Sequence, residues 1–309
     1  MKRKLISFLK YIYNFIGLLK ISNLRKKAVI QDINKLLRGQ TCFDIGASYY
    51  AHPNWKLFLD NKTTNWISLD PMEKNLDYLK ELNVKSNISK EITALSKEGG
   101  TKTLYITNID SGSSLLKPEV HENNKHRVEM DYFFPVIEKT IETKTINSIF
   151  EKHFKKSYPV LLKLDIQGIE FDIIKSLEEE YLENVICIET EQTTLSKPLM
   201  KNSSQLNKVY EFFAEKNFEL AHIKVMNCKK ININNKIKTS YIVGETDLLF
   251  LLNPDQVINK GLSYCFAMLG VYASYNLYEE VYSFSKKLLK LEISSTEKKY
   301  LNDIIKSLT

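Results

Sequence analysis

An apolar run at residues 160–164 ends in an acid, Asp165, and continues Ile166-Gln167-Gly168-Ile169-Glu170. A run this short fits a strand buried on both faces of a parallel sheet. The Gln-Gly step and the amphipathic pattern after it fit a turn into a helix. Upstream, Thr41-Cys42-Phe43-Asp44-Ile45-Gly46-Ala47 has the same grammar. Two strands that each end in an acid set two carboxylates at one sheet edge, where open α/β folds bind ligands.

The rest of the chain alternates in the same way. Residues 28–37 predict a helix stopped by Gly39, and residues 41–45 and 65–70 predict strands, the second ending at Asp70. Pro71 is suited to the first turn of a following helix through residue 82. Strands are expected at 88–95, 101–107 and 133–143, a helix at 146–153 and the central strand at 160–165. Then come a helix at 169–177, a strand at 184–191, a helix at 206–216, and strands at 218–225 and 239–252. Residues 108–131 are irregular, and a loop that long inside a compact domain is usually a binding loop or lid, or else disordered. This order predicts an α/β, Rossmann-like, three-layer sheet, mostly parallel, with one antiparallel strand near its C-terminal end. The expected division is basic N-terminal helices at 1–40, the sheet domain at 41–253, and a helical C-terminal extension at 254–309.

Charge narrows the partners. Residues 1–40 carry ten Lys/Arg against one acid, Asp32, so the net +7 of the chain is concentrated there. A near-neutral body with a basic head does not resemble a nucleic-acid grip. Residues 5–21 place Leu5, Phe8, Leu9, Ile12, Ile16 and Leu19 on one helical stripe flanked by basic residues, but the stretch is short for a membrane span. It suits either a helix packed on protein or peripheral contact with an anionic membrane through residues 1–27. A cytoplasmic location, with the inner membrane face as an option, follows from that pattern and the lack of a cleavage site. Cys42, Cys187, Cys228 and Cys265 form no CxxC pair and the five histidines are scattered, so no metal is expected.

The loop Asp44-Ile45-Gly46-Ala47-Ser48-Tyr49-Tyr50 discriminates among nucleotide-like cofactors. It holds one glycine where a dinucleotide fingerprint needs three, and a carboxylate at the strand end repels phosphate. S-adenosyl-L-methionine has no phosphate and carries cationic groups, so Asp44 suits its methionine end. Gly46 and Ala47 let the chain pass close by. Asp70, 26 residues after Asp44, stands where a ribose-binding acid belongs, and Thr93-Ala94 would flank the adenine. Each acid also has a plainer reading as a helix cap.

Over residues 41–252 the chain resembles the FkbM family of methyltransferases. The resemblance rests on Asp44–Ala47, Asp70-Pro71, Ala94-Leu95-Ser96 and Ser113-Ser114-Leu115. Its most specific block is Lys163, Asp165, Gly168 and Glu170, in the family's K-x-D-x-x-G-x-E spacing. Where the commonest family loop has Asn-x-Gly after its Gly-Ala, this chain has Ser48-Tyr49-Tyr50. Residues 49–55 are similar to a subset with a longer loop and a downstream tryptophan. The resemblance implies methyl transfer to a hydroxyl of a small molecule or glycan. It also leaves a second reading, a degenerate member that binds cofactor without turnover. A hydroxyl acceptor needs a base. Asp165 is the first candidate, as base or as a cofactor-positioning carboxylate, followed by His52 and Glu189. Ser113, Ser114, Tyr49 and Trp55 are expected on the acceptor wall.

Overall fold

The computed structural model describes residues 23–119, 133–194, 198, 200, 202–228 and 242–309. The basic stripe at residues 5–21 lies outside the described residues, as does most of the irregular stretch after residue 119. Ten strands are described. They are β1 (Gln40–Ile45), β2 (Thr64–Asp70), β3 (Asn87–Ile92), β4 (Ala94–Leu95), β5 (Gly100–Thr107), β6 (Pro135–Lys144), β7 (Val160–Leu164), β8 (Val185–Thr193), β9 (Phe218–Cys228) and β10 (Ile242–Leu252). The helices are α1 (residues 23–36), α2 (Lys56–Leu59), α3 (Tyr78–Glu81), α4 (Ile146–His153), α5 (Glu170–Lys175), α6 (Glu179–Leu182), α7 (Leu206–Glu215), α8 (Pro254–Lys260), α9 (Leu262–Ser274), α10 (Tyr278–Leu288) and α11 (Ser295–Leu308).

Seven strands form the main sheet in the order β3-β2-β1-β7-β8-β10-β9. All are parallel except β10, which runs antiparallel to both β8 and β9. The chain therefore winds outward from β1 in one direction, crosses back, and winds outward from β7 in the other. The C-terminal ends of β1, β2 and β7 share one edge, on either side of that switch point. Helices flank the sheet as the alternation predicts. Thr145 caps α4 by accepting from the Ser148 N–H, and Phe150 of α4 stacks on Phe43 of β1 at 4.3 Å between centroids. Phe213 of α7 packs on Phe250 of β10 with the rings tilted by 30°, at 4.2 Å between centroids. Burying aromatic rings of this size is a principal source of stability.

Two expectations are corrected. The strand expected at 88–95 breaks at Thr93, whose N–H donates to the Asp70 carbonyl, and β4 leaves for a second sheet of order β4-β6-β5. The helix expected after Asp70 is only a 3-10 turn at Glu73–Leu76 and the four-residue α3. There the Asp70 carboxylate captures the Met72 N–H at 2.8 Å and the Asn75 amide at 3.0 Å, which tightens the chain into a turn.

Contacts divide the described chain into two compact units, Gly39–Tyr264 and a helical unit built from residues 23–38 with Cys265–Thr309. Within the helical unit Arg38 pairs with Glu297, and Lys35 lies over the Tyr300 ring. Ser294 and Glu297 form a reciprocal capping box at the start of α11. Among the described residues no helix is long and apolar enough to cross a membrane.

Candidate active site

Two cavities open at the edge shared by β1, β2 and β7. The first, about 540 Å³, is lined by Asp70, Thr93, Ala94, Leu95, Leu104, Ser113 and Ser114 among others. The second, about 710 Å³, is lined by Tyr49, Tyr50, His52, Lys163, Gln167 and Glu191. Gly46, Ser48, Ser111 and Asp165 line both, so the cavities meet where the β1 and β7 loops come together.

Gly46 makes that meeting possible. Its φ is +80°, its N–H and that of Ala47 both donate to the Leu69 carbonyl, and a Cβ there would stand 1.8 Å from the Asp165 carbonyl oxygen. The missing side chain thus admits the neighbouring loop, in addition to lining the cavities. Ala47 turns the other way and packs with Leu76 and Leu79.

Asp70 uses Oδ1 for both of its bonds, to Met72 and Asn75, leaving Oδ2 for a ligand. Burial pushes its pKa up to about 6, against the opposing pull of those two hydrogen bonds. Asp44 lies elsewhere. It is 2% exposed, lines neither cavity, and its carboxylate oxygens accept no hydrogen bond. It stands below the site, 3.4 Å from Lys163 Nζ. Burial raises the Asp44 pKa, with Lys163 pulling the other way.

Strand register explains this arrangement. Asp44 of β1 is paired with Lys163 of β7, which is paired with Glu189 of β8, giving a lateral row acid–lysine–acid. Burial opposes a charge on Lys163, but Asp44, Asp165 and Glu189 together outweigh it and raise its pKa. Lys163 stands inside the most specific motif of the sequence, yet its place between these acids is not read there.

Asp165 projects from the end of β7 with both oxygens engaged, Oδ1 by the Gln167 amide at 3.1 Å and Oδ2 by Lys163 at 3.6 Å. The same Gln167 amide donates to Glu191 Oε2 at 2.9 Å. Gln167 and Gly168 both have positive φ, 62° and 112°, and Glu170 fixes this unusual turn by accepting from the Ile166 and Gly168 N–H groups at 2.8 and 2.9 Å. Burial raises the Glu170 pKa to about 7 in spite of those bonds.

Glu189 and His52 come together as well. His52 lines the second cavity, and its Nδ1 is 3.9 Å from Glu189 Oε1. The other oxygen, Oε2, accepts from the indole N–H of Trp55. Trp55 itself is 2% exposed and packs edge-on against Trp66, so the structure moves it from the acceptor wall into the core. Its amphipathic ring gives no sequence signal that distinguishes the two places.

Ser113 and Ser114 line the first cavity, yet their hydroxyls serve the local fold. Ser113 Oγ accepts from the Thr107 N–H, and Ser114 Oγ donates to the Gln167 carbonyl while accepting from the Leu116 N–H. Tyr49 is half-exposed in a left-handed conformation, and its hydroxyl donates to Asp110 at 2.8 Å. Asp110, Leu104 and Met72 complete the first cavity. They lie in the second sheet and in loops where periodicity carries no information about a site.

The pattern of the Methyltransferase FkbM domain matches residues 44–220. The chain belongs to the FkbM methyltransferase family. The matched span begins at Asp44 and takes in Asp70, Asp165 and Glu189, so the site of this FkbM chain lies within it. Among solved structures it is similar to precorrin-6y C5,15-methyltransferase from Geobacter metallireducens GS-15, at 11% identity and a TM-score of 0.32, over 72% of this chain and 86% of that one. It is also similar to TehB from Haemophilus influenzae, at 10% identity and a TM-score of 0.33, over 72% of this chain and 61% of that one. No curated protein matches the sequence.

Proposed function

We propose that this FkbM methyltransferase uses S-adenosyl-L-methionine to methylate a hydroxyl oxygen, with a sugar of a surface glycan as the favoured acceptor. The observation that supports this most is the junction of two unlike cavities at Gly46, Ser48, Ser111 and Asp165. The first has apolar walls and an acid, Asp70, with an oxygen to spare, as a nucleoside requires. No phosphate cradle is present in the Gly46 loop, which suits a cofactor without phosphate. The second is polar and flanked by exposed Tyr49 and Tyr50, as a hydroxylated acceptor requires.

Within this reading Asp70 holds the ribose hydroxyls, and Thr93, Ala94, Leu95 and Leu104 enclose the adenine. S-adenosylmethionine, when bound, supplies a methyl group already activated on a sulfonium. The protein then has to align the acceptor and remove its proton, and alignment alone contributes several kcal/mol in such displacements. His52 serves better as the base than Asp165, whose oxygens are both occupied by Gln167 and Lys163. An imidazole can accept the acceptor's proton, and Glu189 stands behind Nδ1 to orient the ring. The 3.9 Å separation is of the kind that tightens once an acceptor is bound.

Titration calorimetry with S-adenosylhomocysteine, followed by incubation with radiolabelled cofactor and glycan extracts, tests the proposal. Heat with transfer to a glycan hydroxyl supports it, and His52→Gln then abolishes transfer while leaving the heat intact. Heat with no transfer to any fraction favours the non-catalytic reading, and no heat removes the cofactor assignment.

A further inference from the structure

Ser48, at the cavity junction, and Lys163, in the second cavity, are polar groups that the proposed chemistry leaves without a task. Lys163 is the only lysine or arginine lining either of the two cavities among the described residues. Its Nζ stands 3.4 Å from Asp44 and 3.6 Å from Asp165, and an ammonium has three donors, so at least one remains for a ligand. Ser48 lines both cavities, and its hydroxyl is buried with no hydrogen-bond partner. A buried hydroxyl without a partner is costly and is normally satisfied by something bound beside it.

We propose that Lys163 and Ser48 form the seat for the α-carboxylate of the cofactor's methionyl tail. This inference rests on the S-adenosylmethionine reading above and deepens it. A tail leaving the first cavity must cross the junction, where Ser48 stands, and enter the second, where Lys163 is the available cation. The tail is a zwitterion. Its ammonium belongs beside Asp165, whose side chain is 42% exposed and whose oxygens each keep a lone pair beyond Gln167 and Lys163, and its carboxylate belongs beside the ammonium of Lys163. The lateral row then has a purpose. Asp44 and Glu189 keep Lys163 charged in a place where burial alone would discharge it.

A pair of ligands isolates the seat without any acceptor. S-adenosylhomocysteine carries the amino-acid tail, and 5′-methylthioadenosine carries the same thionucleoside without it. Calorimetry on the wild-type protein should show tighter binding of S-adenosylhomocysteine. Lys163→Met should cut that preference tenfold or more, as loss of a charge-assisted hydrogen bond does, while 5′-methylthioadenosine binds as before. Ser48→Ala should cut it roughly two- to tenfold and guards against a Lys163 variant that fails to fold. Unchanged preference in both variants overturns the seat, and so does equal weakening of both ligands. If neither ligand binds the wild-type protein, the cofactor reading fails first and the seat with it.

Discussion

Asp70→Asn is expected to stabilise the ligand-free protein and weaken cofactor binding at the same time. Asp70 is 6% exposed, and burial raises its pKa from 3.8 to about 6. A shift of that size corresponds to about 3 kcal/mol, at about 1.4 kcal/mol per pKa unit. The folded state holds the proton more tightly than the unfolded chain, so the favourable contribution is complete below pH 3.8 and is lost as pH rises through 6. Asparagine keeps the volume and an oxygen for the Met72 N–H and the Asn75 amide, and it carries no charge to bury. The variant should therefore exceed the wild type by about 1–3 kcal/mol at pH 8, with the gap closing toward pH 4. Its amide nitrogen would face the cavity where the ribose hydroxyls need an acceptor. Losing a hydrogen bond to a charged group costs about 1.5–3 kcal/mol, or tenfold and more in Kd for S-adenosylhomocysteine. Urea unfolding from pH 4 to 8, with calorimetric titration at pH 8, reads both effects. A gap independent of pH, or an unstable variant, would refute the burial argument. An unchanged Kd would refute the ribose assignment.

Other expectations follow from the loops around the junction. Gly46→Ala places a methyl 1.8 Å from the Asp165 carbonyl at a φ of +80°, and should cost at least about 2 kcal/mol in urea unfolding along with cofactor binding. A loss under about 0.5 kcal/mol would mean the two loops do not approach so closely. Glu170→Ala leaves the Ile166 and Gly168 N–H groups without their acceptor and should cost about 1–3 kcal/mol, with weaker S-adenosylhomocysteine binding as the Asp165 turn loosens. Unaltered binding would show that the turn holds its shape without Glu170.

The central strand, its acid and the Gln-Gly turn were legible because each is local. An apolar run of strand length, an abrupt carboxylate and a following amphipathic pattern are sufficient to place Asp165 at a sheet edge. The same logic put Asp70 at the edge where it lines the first cavity. It failed for Asp44, which lies inside the end of β1 rather than just beyond it, as Asp165 lies beyond β7, and is buried under the site. The sequence also could not separate Trp55 on a cavity wall from Trp55 in the core, since an indole suits both. The place of Asp44 depends on lateral register between strands more than a hundred residues apart, which sets it beside Lys163. Local periodicity determines which face a side chain takes along its own strand. Only the packed sheet determines which side chain of a distant strand stands next to it, and that neighbour decides whether an acid meets a ligand or a lysine.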